Sequence, residues 1–328
     1  MQQRTLGRTG RDVSVIGLGT WQLGADWGQV SEADARAVLD ASFASGVTFF
    51  DTADVYGDGR SEAFIGSWLR ANPDAQVTVA TKMGRRLAQT PENYTLANFR
   101  GWTDRSREKL GVDTLDLVQL HCPPTPVYSS DAVFDALDLL VEEGVMRSYG
   151  VSVETADEAL TAIARPGVAS VQLILNAFRL KPLDAVLPAA REAGVGIIAR
   201  VPLASGLLSG RYSIETSFAA DDHRSFNRNG EAFDQGETFS GVDYADGVEA
   251  AREFAALAAD AGLTPAMAAL AWVAQLPGVS TVIPGARNVA QAESNAAAGA
   301  VPSLPEGFTA SVRELYDRHF RAAIHPRW

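Results

Sequence analysis

Short apolar runs alternate with helix-like segments along the whole chain, and this alternation restricts the fold more than any other feature. Strands are predicted at 15–19, 47–51, 77–82, 115–121, 145–151, 169–174, 195–199 and 279–283. Amphipathic or alanine-rich helices are predicted between them, at 31–45, 61–71, 94–110, 130–143, 155–164, 183–193 and 246–275. Strict alternation of this kind predicts a parallel sheet whose strands are joined by helical crossovers.

Closure into a barrel is favoured over an open, doubly wound sheet. A nucleotide-binding open sheet would carry Gly-x-Gly-x-x-Gly at its first strand–helix turn, whereas Gly17, Gly19 and Gly24 have a different spacing. The 328 residues fit one barrel of about 250 residues with extensions. We therefore predict an α/β protein with a single (β/α)8 TIM barrel domain over residues 1–328, an N-terminal β-hairpin, and extra C-terminal helices in the tail at 302–328.

Composition and charge exclude several classes of function. The net charge of −12 and the pI of about 4.8 disfavour nucleic-acid binding, which depends on clustered Lys and Arg. The single cysteine, Cys122, excludes an intramolecular disulfide and a four-cysteine zinc site, and the histidines lack the spacing of a metal motif. No apolar run approaches the ~18 residues that span a bilayer, and the N-terminus lacks the apolar core of a secretory signal. We expect a cytoplasmic protein with no metal and with no membrane or nucleic-acid partner.

One connection is unusually long. Residues 200–245 separate the seventh predicted strand from the next helix and show few periodic signals. A loop of this length in a compact domain is usually functional or disordered. Within it, residues 221–230 are interpreted either as a lid or part of the substrate pocket, or as a solvated excursion on the surface.

Three successive predicted strands end in ionisable side chains. Asp51 ends the second strand and Tyr56 follows on the next loop, while Lys82 and His121 end the third and fourth strands. The parallel strands of a barrel all end on one rim, so we expect these four side chains to meet around a single pocket.

These residue types suit the protonation of an oxygen. A tyrosine has an ordinary pKa near ~10, and a neighbouring ammonium lowers that pKa by favouring the phenolate. In this interpretation Tyr56 donates the proton, Lys82 and Asp51 tune its pKa, and His121 donates a hydrogen bond to a carbonyl oxygen. Each residue alone also has a structural interpretation: a turn cap, a salt bridge on the rim, or a satisfied structural histidine. Their joint occurrence favours the functional one, and the absence of a metal-ligand set argues against a barrel hydrolase.

Longer motifs resemble those of the aldo-keto reductase family over essentially the whole chain. They are Gly17-Leu-Gly-Thr-Trp21, Phe50-Asp-Thr-Ala-Asp-Val-Tyr-Gly57, Ala80-Thr-Lys82, Asp116-Leu-Val-Gln-Leu-His121, Tyr149-Gly-Val-Ser152, Val171-Gln172, Pro202-Leu-Ala-Ser-Gly-Leu-Leu-Ser-Gly210 and Ile283-Pro-Gly-Ala-Arg287. The family consists of (β/α)8 barrels that use NADPH to reduce aldehydes and ketones. The resemblance implies a catalytic tetrad of Asp51, Tyr56, Lys82 and His121, with Trp21, Tyr56 and His121 contacting the substrate.

The resemblance also implies a binding path for NADP(H). Its contacts are Gly19, Thr20, Trp21, Asp51, Ser152, Gln172, Arg200, Pro202, Leu203, Ser205, Gly206, Leu208, Gly210, Gly285, Arg287, Gln291 and Asn295. Ser152 and Gln172 are expected to hydrogen-bond the carboxamide, and the backbone of 202–210 to wrap the pyrophosphate. Arg287 is expected to bind the 2′-phosphate and to select NADP over NAD; the alternative is an ordinary exposed arginine before a helix.

Three positions depart from the family pattern. Val153 replaces a usual asparagine, so one carboxamide hydrogen bond, worth roughly 1 kcal/mol net, is expected to be missing. Ser294 stands where an acidic residue is common. Arg200 stands where many members stack an aromatic ring on the nicotinamide, and a stacked guanidinium would favour NADPH over NADP+ and so the reductive direction. The alternative is that Arg200 turns away into a salt bridge.

The sequence therefore predicts an NADPH-dependent oxidoreductase that reduces aldehyde or ketone carbonyls, including sugar-derived ones, by direct hydride transfer. The alternatives are the reverse oxidation of a sugar or polyol, and an NADP(H)-binding regulatory module that resembles potassium-channel accessory subunits. The expected partner is a small-molecule carbonyl substrate, and the oligomeric state is left open. Further candidate pocket walls are Trp27, Met83, Cys122, Tyr128 and Trp328, with Cys122 interpreted as a wall residue and not as a nucleophile.

Overall fold

The chain begins with a two-stranded antiparallel hairpin. The computed structural model describes residues 1–24 and 30–328, so Trp27 lies outside the described residues. The hairpin strands are β1 (Gln3–Thr5) and β2 (Asp12–Ser14). Gly7, in the turn between them, has a φ of +48°, and a Cβ there would lie 2.0 Å from the backbone nitrogen of Gly196. Only glycine therefore lets the hairpin approach the barrel this closely.

Eight parallel strands form the barrel. They are β3 (Leu18–Gly19), β4 (Phe49–Asp51), β5 (Thr78–Met83), β6 (Leu115–His121), β7 (Met146–Ser152), β8 (Val168–Ile174), β9 (Gly196–Arg200) and β10 (Val279–Val282). Each strand pairs with its neighbour in chain order. The first and last strands are joined by parallel bridges from Ile16 to Val282 and from Gly19 to Gly285, which close the barrel.

Helices surround the strands and continue into the C-terminal tail. They are α1 (Trp21–Gly24), α2 (Glu32–Ala44), α3 (Arg60–Ala71), α4 (Leu96–Leu110), α5 (Asp131–Glu142), α6 (Ala156–Ile163), α7 (Val186–Ala193), α8 (His223–Phe226), α9 (Tyr244–Asp260), α10 (Pro265–Gln275), α11 (Val289–Ala297), α12 (Phe308–His319) and α13 (Arg321–Ile324). The predicted TIM barrel, the N-terminal hairpin and the extra C-terminal helices are confirmed.

Several predicted bounds shift in the structure. The helical segment predicted at 246–275 is divided into two helices, because Gly262 takes a φ of +71° after α9 and Thr264 caps a new helix that starts at Pro265. The strand predicted at 15–19 is regular only over Leu18–Gly19, and Ile16 joins the sheet by a single bridge.

None of the described helices is by itself long and apolar enough to cross a membrane. Helices α9 and α10 pass that test only as a pair, with an 80° bend between them. Their apolar faces are covered in this fold, since Phe254, Leu270 and Trp272 are buried.

The interior of the barrel changes from apolar to polar along the strands. Near the hairpin it is filled by one cluster of buried apolar side chains: Leu6, Val13, Phe49, Ala80, Leu117, Ile198 and Ile283. Side chains on a strand alternate between its faces, so the next inward positions are two residues further along each strand. Asp51, Lys82 and Gln119 occupy those positions above Phe49, Ala80 and Leu117. The apolar layer thus separates the polar end of the barrel from the hairpin.

Leu6→Ala tests the contribution of the hairpin to the core. Leu6 is fully buried, so truncation should lower the free energy of unfolding by about 2–5 kcal/mol through lost burial and a residual cavity. Urea unfolding followed by circular dichroism measures the change. Leu87→Ala is the matched control, because Leu87 is 45% exposed and should change stability by less than about 0.5 kcal/mol. Equal effects of the two substitutions would contradict the assignment of Leu6 to the core.

Candidate active site

A buried ion pair forms the floor of the site at the C-terminal ends of the strands. Lys82 Nζ donates to Asp51 Oδ1 at 2.5 Å and to the carbonyl of Thr52 at 2.9 Å. The parallel register sets Asp51 opposite Ala80, so Lys82, two residues further on, projects from the same face. Burial acts most strongly and lowers the pKa of Lys82, but the charges of Asp51 and Tyr56 and the hydrogen bonds to them together outweigh it and leave the pKa above its usual value. Lys82 is therefore an ammonium at neutral pH.

Two amides complete the surroundings of Asp51. Gln172 Nε2 donates to Asp51 Oδ2 at 2.8 Å, and Gln119 Nε2 donates to the same oxygen at 3.1 Å. Gln172 also donates to Gln119 Oε1 at 3.2 Å. Gln119 was not predicted as a site residue, although its position two residues before His121 on one strand face was a usable signal. The two amides satisfy a carboxylate that would otherwise be costly to bury.

Tyr56 lies over the ion pair. Lys82 Nζ donates to its hydroxyl oxygen at 3.3 Å and lies 5.0 Å from the centre of its ring. Burial raises the pKa of Tyr56, and the nearby Lys82 charge offsets this only in part, so the net direction is upward. Lys82 thus lowers the pKa of Tyr56, as expected from the sequence, but burial raises it by more. The phenol stays protonated at neutral pH.

His121, the last residue of β6, faces Tyr56 from the side. The two rings lie 5.9 Å apart at an angle of 83°. Within the described part of the chain, His121 Nδ1 is buried without a hydrogen-bond partner. Burial lowers the pKa of His121 well below its usual value, and Arg85, Lys82 and Arg200 add to this effect. The imidazole is therefore neutral at pH 7, and its pairing with a phenol suits it to hold an uncharged oxygen.

A cavity of about 870 Å³ opens above these residues. The sequence-predicted residues that line it are Gly19, Thr20, Trp21, Asp51, Tyr56, His121, Ser152, Gln172, Arg200, Pro202, Leu203, Ser205, Gly206, Gly285, Arg287, Gln291 and Asn295. The cavity runs from the ends of β4 and β6 to the start of α11. Its size is within the range of small-molecule and cofactor sites.

Several predicted residues do not line this cavity. Lys82 lies beneath Asp51 and Tyr56, the side chain of Leu208 packs into the apolar core, and Gly210 packs toward Pro265. The wall residues Met83, Cys122, Tyr128 and Trp328 are also outside the lining.

Two of these residues support Ser152 from behind, and a third anchors the end of the chain. Tyr128 donates to the Ser152 carbonyl at 2.8 Å, and Cys122 Sγ lies 3.4 Å from Ser152 Oγ. Burial raises the pKa of Cys122 to about 12, which keeps the thiol protonated and unreactive. Trp328 packs under Arg179, 4.1 Å from its guanidinium. Cys122 also lies 3.7 Å from Arg200 Nη2, so Tyr128 and Cys122 form a layer behind the cavity wall and contact the residues that line it.

Arg200 adopts the salt-bridge alternative. Its Nη2 donates to Glu154 Oε2 and to the Val153 carbonyl, both at 3.1 Å, and its Nη1 pairs with Glu237. The guanidinium still borders the cavity, but two carboxylates hold it. Arg200 is therefore an ion-paired group and not a free cation stacked in the cavity. The two carboxylates offset most of the electrostatic field of its guanidinium.

The long loop forms one side of the cavity. Tyr212, His223, Arg224 and Glu237 line it, and the ring of His223 lies 5.1 Å from that of Trp21. Residues 221–230 thus contribute to the wall, which goes against the interpretation as a surface excursion. Tyr212 and Glu237 were missed at the sequence level, because their stretch has no periodicity and only the folded chain brings it over the barrel.

Lys82→Met and Asp51→Asn, singly and together, test the floor of the site. Removing one partner leaves the other charge buried and unpaired, so each single variant should lose roughly 3–5 kcal/mol of unfolding free energy. The loss in the double variant should be smaller than the sum of the two single losses by at least about 1 kcal/mol, as measured by urea unfolding. The control is Arg36→Met, which breaks an exposed pair with Asp40 and should cost less than about 0.5 kcal/mol. Additive losses would show that the pair is not coupled.

The geometry agrees with comparisons to known proteins. The sequence model of the Aldo/keto reductase family matches residues 15–317. The chain is 33% identical over 322 residues to aldo-keto reductase str7 of Strobilurus tenacellus, covering 92% of this chain and 89% of that protein. Similar solved structures include the glycerol dehydrogenase AKR11B4 from Gluconobacter oxydans (TM-score 0.79, 27% identity, 97% and 96% covered). A second is an aldo-keto reductase from Klebsiella pneumoniae in complex with NADPH (TM-score 0.72, 25% identity, 96% of both chains). The chain belongs to the aldo-keto reductase family of oxidoreductases.

Proposed function

We propose that this protein reduces aldehyde and ketone carbonyls with NADPH and that Tyr56 is the general acid. The observation that carries the proposal is the Tyr56 hydroxyl held 3.3 Å from the buried Lys82 ammonium, at the floor of a large cavity. A neutral imidazole beside a protonated phenol leaves one position, between the two rings, that suits a carbonyl oxygen. Among the described residues that line the cavity, none is an activated nucleophile, which favours proton transfer over covalent catalysis.

The residues that line the cavity fit a dinucleotide. A Cβ at Gly285 would lie 1.9 Å from Gln22 Oε1, and one at Gly206 would lie 2.5 Å from the hydroxyl of Tyr212. Glycines at these positions keep a narrow channel open between side chains on either side. Pro202, Leu203 and Ser205 would border the diphosphate.

The far end of the cavity suits a phosphate. Arg287 lies just before α11, whose first turn carries no acidic residue, so the positive end of the helix dipole is uncompensated. Gln291 Oε1 accepts from the Arg287 backbone nitrogen at 2.8 Å, and Asn295 Nδ2 donates to the Gly285 carbonyl at 3.1 Å. Gln291 and Asn295 therefore shape this loop as well as bordering the cavity. A guanidinium at this end would bind the 2′-phosphate of NADP(H) by charge-assisted hydrogen bonds.

When bound, the reduced nicotinamide supplies a hydride to the carbonyl carbon. His121 and Tyr56 would orient the carbonyl oxygen by hydrogen bonds, and Tyr56 would give its proton to that oxygen as negative charge develops. Lys82 would stabilise the phenolate that remains, since its ammonium already touches the hydroxyl. Asp51 and the Thr52 carbonyl would keep Lys82 charged and oriented throughout.

Oxidation of a sugar or polyol is the second candidate direction. It is favoured by the likeness to a glycerol dehydrogenase and by the mixed polar lining of His223, Glu237 and Arg200 near Tyr56. The same residues serve both directions, because Tyr56 accepts in oxidation the proton that it donates in reduction. A purely regulatory role is not favoured, since the complete proton-transfer set is retained.

Tyr56→Phe should lower kcat for aldehyde reduction by about 10²–10⁴-fold, because the proton donor is lost. The dissociation constant for NADPH should change little, since the aromatic ring remains. The loss of NADPH absorbance with a panel of aldehydes measures the first quantity, and fluorescence quenching measures the second. Tyr316→Phe, on the outer helix α12, should behave as the unmodified protein. Full activity of Tyr56→Phe would refute the assignment of the acid, and NADPH binding without turnover of any carbonyl would favour a sensing role.

Arg287→Gln should raise the dissociation constant for NADPH by about 10–100-fold, the loss expected for one charge-assisted hydrogen bond. The dissociation constant for NADH should stay within about twofold of that of the unmodified protein, because NADH lacks the 2′-phosphate. Separate titrations by fluorescence quenching measure both. Arg36→Gln, at an exposed site on α2, is the control. Equal weakening of both cofactors would mean that Arg287 supports the fold of the loop and does not read the phosphate.

A further inference from the structure

Two arginines hold one short segment of the long loop, residues 234–241. Glu237 of this segment lines the cavity and pairs with Arg200 Nη1, and Arg200 Nη2 donates to Glu154 Oε2 at 3.1 Å. The second arginine, Arg179, donates from Nη2 to the backbone carbonyl of the same Glu154 at 2.5 Å. Arg200 borders the cavity, whereas Arg179 is not part of its lining. Glu154 therefore connects a cavity residue to a residue outside the cavity.

Arg179 is buried between this segment and Trp328. Its guanidinium carbon lies 4.1 Å from the centre of the Trp328 ring. A Cβ at Gly236 would lie 2.1 Å from Arg179 Nη1, so the guanidinium lies directly against the backbone of the segment, and a glycine permits this approach. Burial lowers the pKa of Arg179 to about 10, which leaves it charged at neutral pH. The stacked pair thus supports the segment just before Glu237.

Trp328 and its neighbour also contact the far end of the segment. A Cβ at Gly241 would lie 3.0 Å from Trp328 Cζ2, so the indole packs on the backbone there. Arg327 donates to the carbonyl of Gly241 at 3.5 Å and to the side-chain oxygen of Gln235. Trp328 is buried by these contacts but does not line the cavity. The segment is therefore fixed near both of its ends by residues outside the cavity.

Backbone strain makes the segment depend on such contacts. Phe239, Ser240 and Gly241 take φ values of 53°, 61° and 74° in succession. A non-glycine residue in the left-handed region costs free energy and persists only where its surroundings fix it. Here Ser205 Oγ accepts from the Phe239 nitrogen at 3.0 Å, and Asn176 Nδ2 donates to Ser240 Oγ at 2.7 Å. Removing the packing on Gly241 allows this strained run to relax.

A displacement of the segment reaches the cavity wall directly. Glu237 and Ser205 both line the cavity, and Ser205 Oγ donates to the Glu237 carbonyl at 2.9 Å. If Glu237 moves away, the buried guanidinium of Arg200 also loses one of its two carboxylates, which is costly. Three wall residues therefore change together when the segment moves.

We propose that Trp328 and Arg179 are positioning residues for the NADP(H) cavity, which neither of them lines. The stacked pair holds residues 234–241 in their strained conformation and thereby keeps Glu237 and Ser205 in the cavity wall. The affinity for NADPH then depends on a contact outside the cavity. The effect on NADPH affinity rests on the proposed function, whereas the hold on the segment does not.

Hydrogen exchange followed by mass spectrometry tests the hold on the segment without reference to activity. In Trp328→Ala the amides of 234–241 should exchange at least about 10-fold faster than in the unmodified protein, while those of β6 stay unchanged, because only the local opening becomes easier. Trp328→Phe keeps a ring against Arg179 and should exchange within about twofold of the unmodified protein. Unchanged exchange of 234–241 in Trp328→Ala overturns the proposal, and so does a phenylalanine variant that exchanges as fast as the alanine variant.

Two further variants separate positioning from a general loss of packing. Phe308→Ala removes a buried ring that packs on Phe254, between α12 and α9. It should lower the free energy of unfolding, as Trp328→Ala does, but leave the exchange of 234–241 unchanged; equal acceleration by both overturns the proposal. Arg179→Lys keeps the charge but loses the planar group that stacks on Trp328, so it should accelerate exchange of 234–241. Unchanged exchange in Arg179→Lys overturns the proposal even where Trp328→Ala does not fold.

The dissociation constant for NADPH tests the link to the cavity. Trp328→Ala should raise it by about 3–30-fold, the range for a residue that acts on a site without touching the ligand. Trp328→Phe and Phe308→Ala should stay within about twofold of the unmodified protein. Titration calorimetry measures all three, since removing a tryptophan alters the fluorescence of the protein. Faster exchange with an unchanged dissociation constant overturns the link to the cavity. If the unmodified protein binds no NADPH, the proposed function fails, while a difference in exchange still supports the hold on the segment.

Discussion

The Lys82–Asp51 ion pair is the interaction on which the rest of the site depends. Both side chains are almost fully removed from water, 1% and 3% exposed, so each charge would be costly without the other. The amides of Gln119 and Gln172 and the carbonyl of Thr52 satisfy the remaining donor and acceptor positions. The arrangement is rigid because every member has a fixed partner, and that rigidity positions the hydroxyl of Tyr56.

The barrel makes such a polar group tolerable. Inward-facing residues of its strands form an apolar layer next to the hairpin, and the alternation of side chains places the polar layer directly above it. The apolar layer thus lies beneath the polar one, and the cavity lies at the C-terminal ends of the strands. The low dielectric of this environment gives His121 its neutral form and Tyr56 its raised pKa.

The long loop adds a second charged assembly beside the first. Arg200 connects the end of β9 to Glu154 and to Glu237 of the loop, and Ser205 accepts from the Phe239 nitrogen and donates to the Glu237 carbonyl. Val201, directly after β9, and Ser205 both take a positive φ, which side chains adopt only when the surroundings fix them. The loop is therefore tied to the barrel by specific contacts at the border of the cavity.

The sequence by itself determined the barrel, the order of its elements, and the meeting of Asp51, Tyr56, Lys82 and His121. Strand periodicity and strand ends are local features of the sequence. In a closed parallel sheet all strand ends lie on one rim, so residues at those ends must meet there. It predicted Arg200 as a cavity residue but left its conformation open between stacking and an ion pair. Only the tertiary structure decided that choice and brought Glu237 and His223 to the cavity. Those contacts join residues from segments without periodicity or from different elements, and their energies depend on burial, which no local pattern specifies.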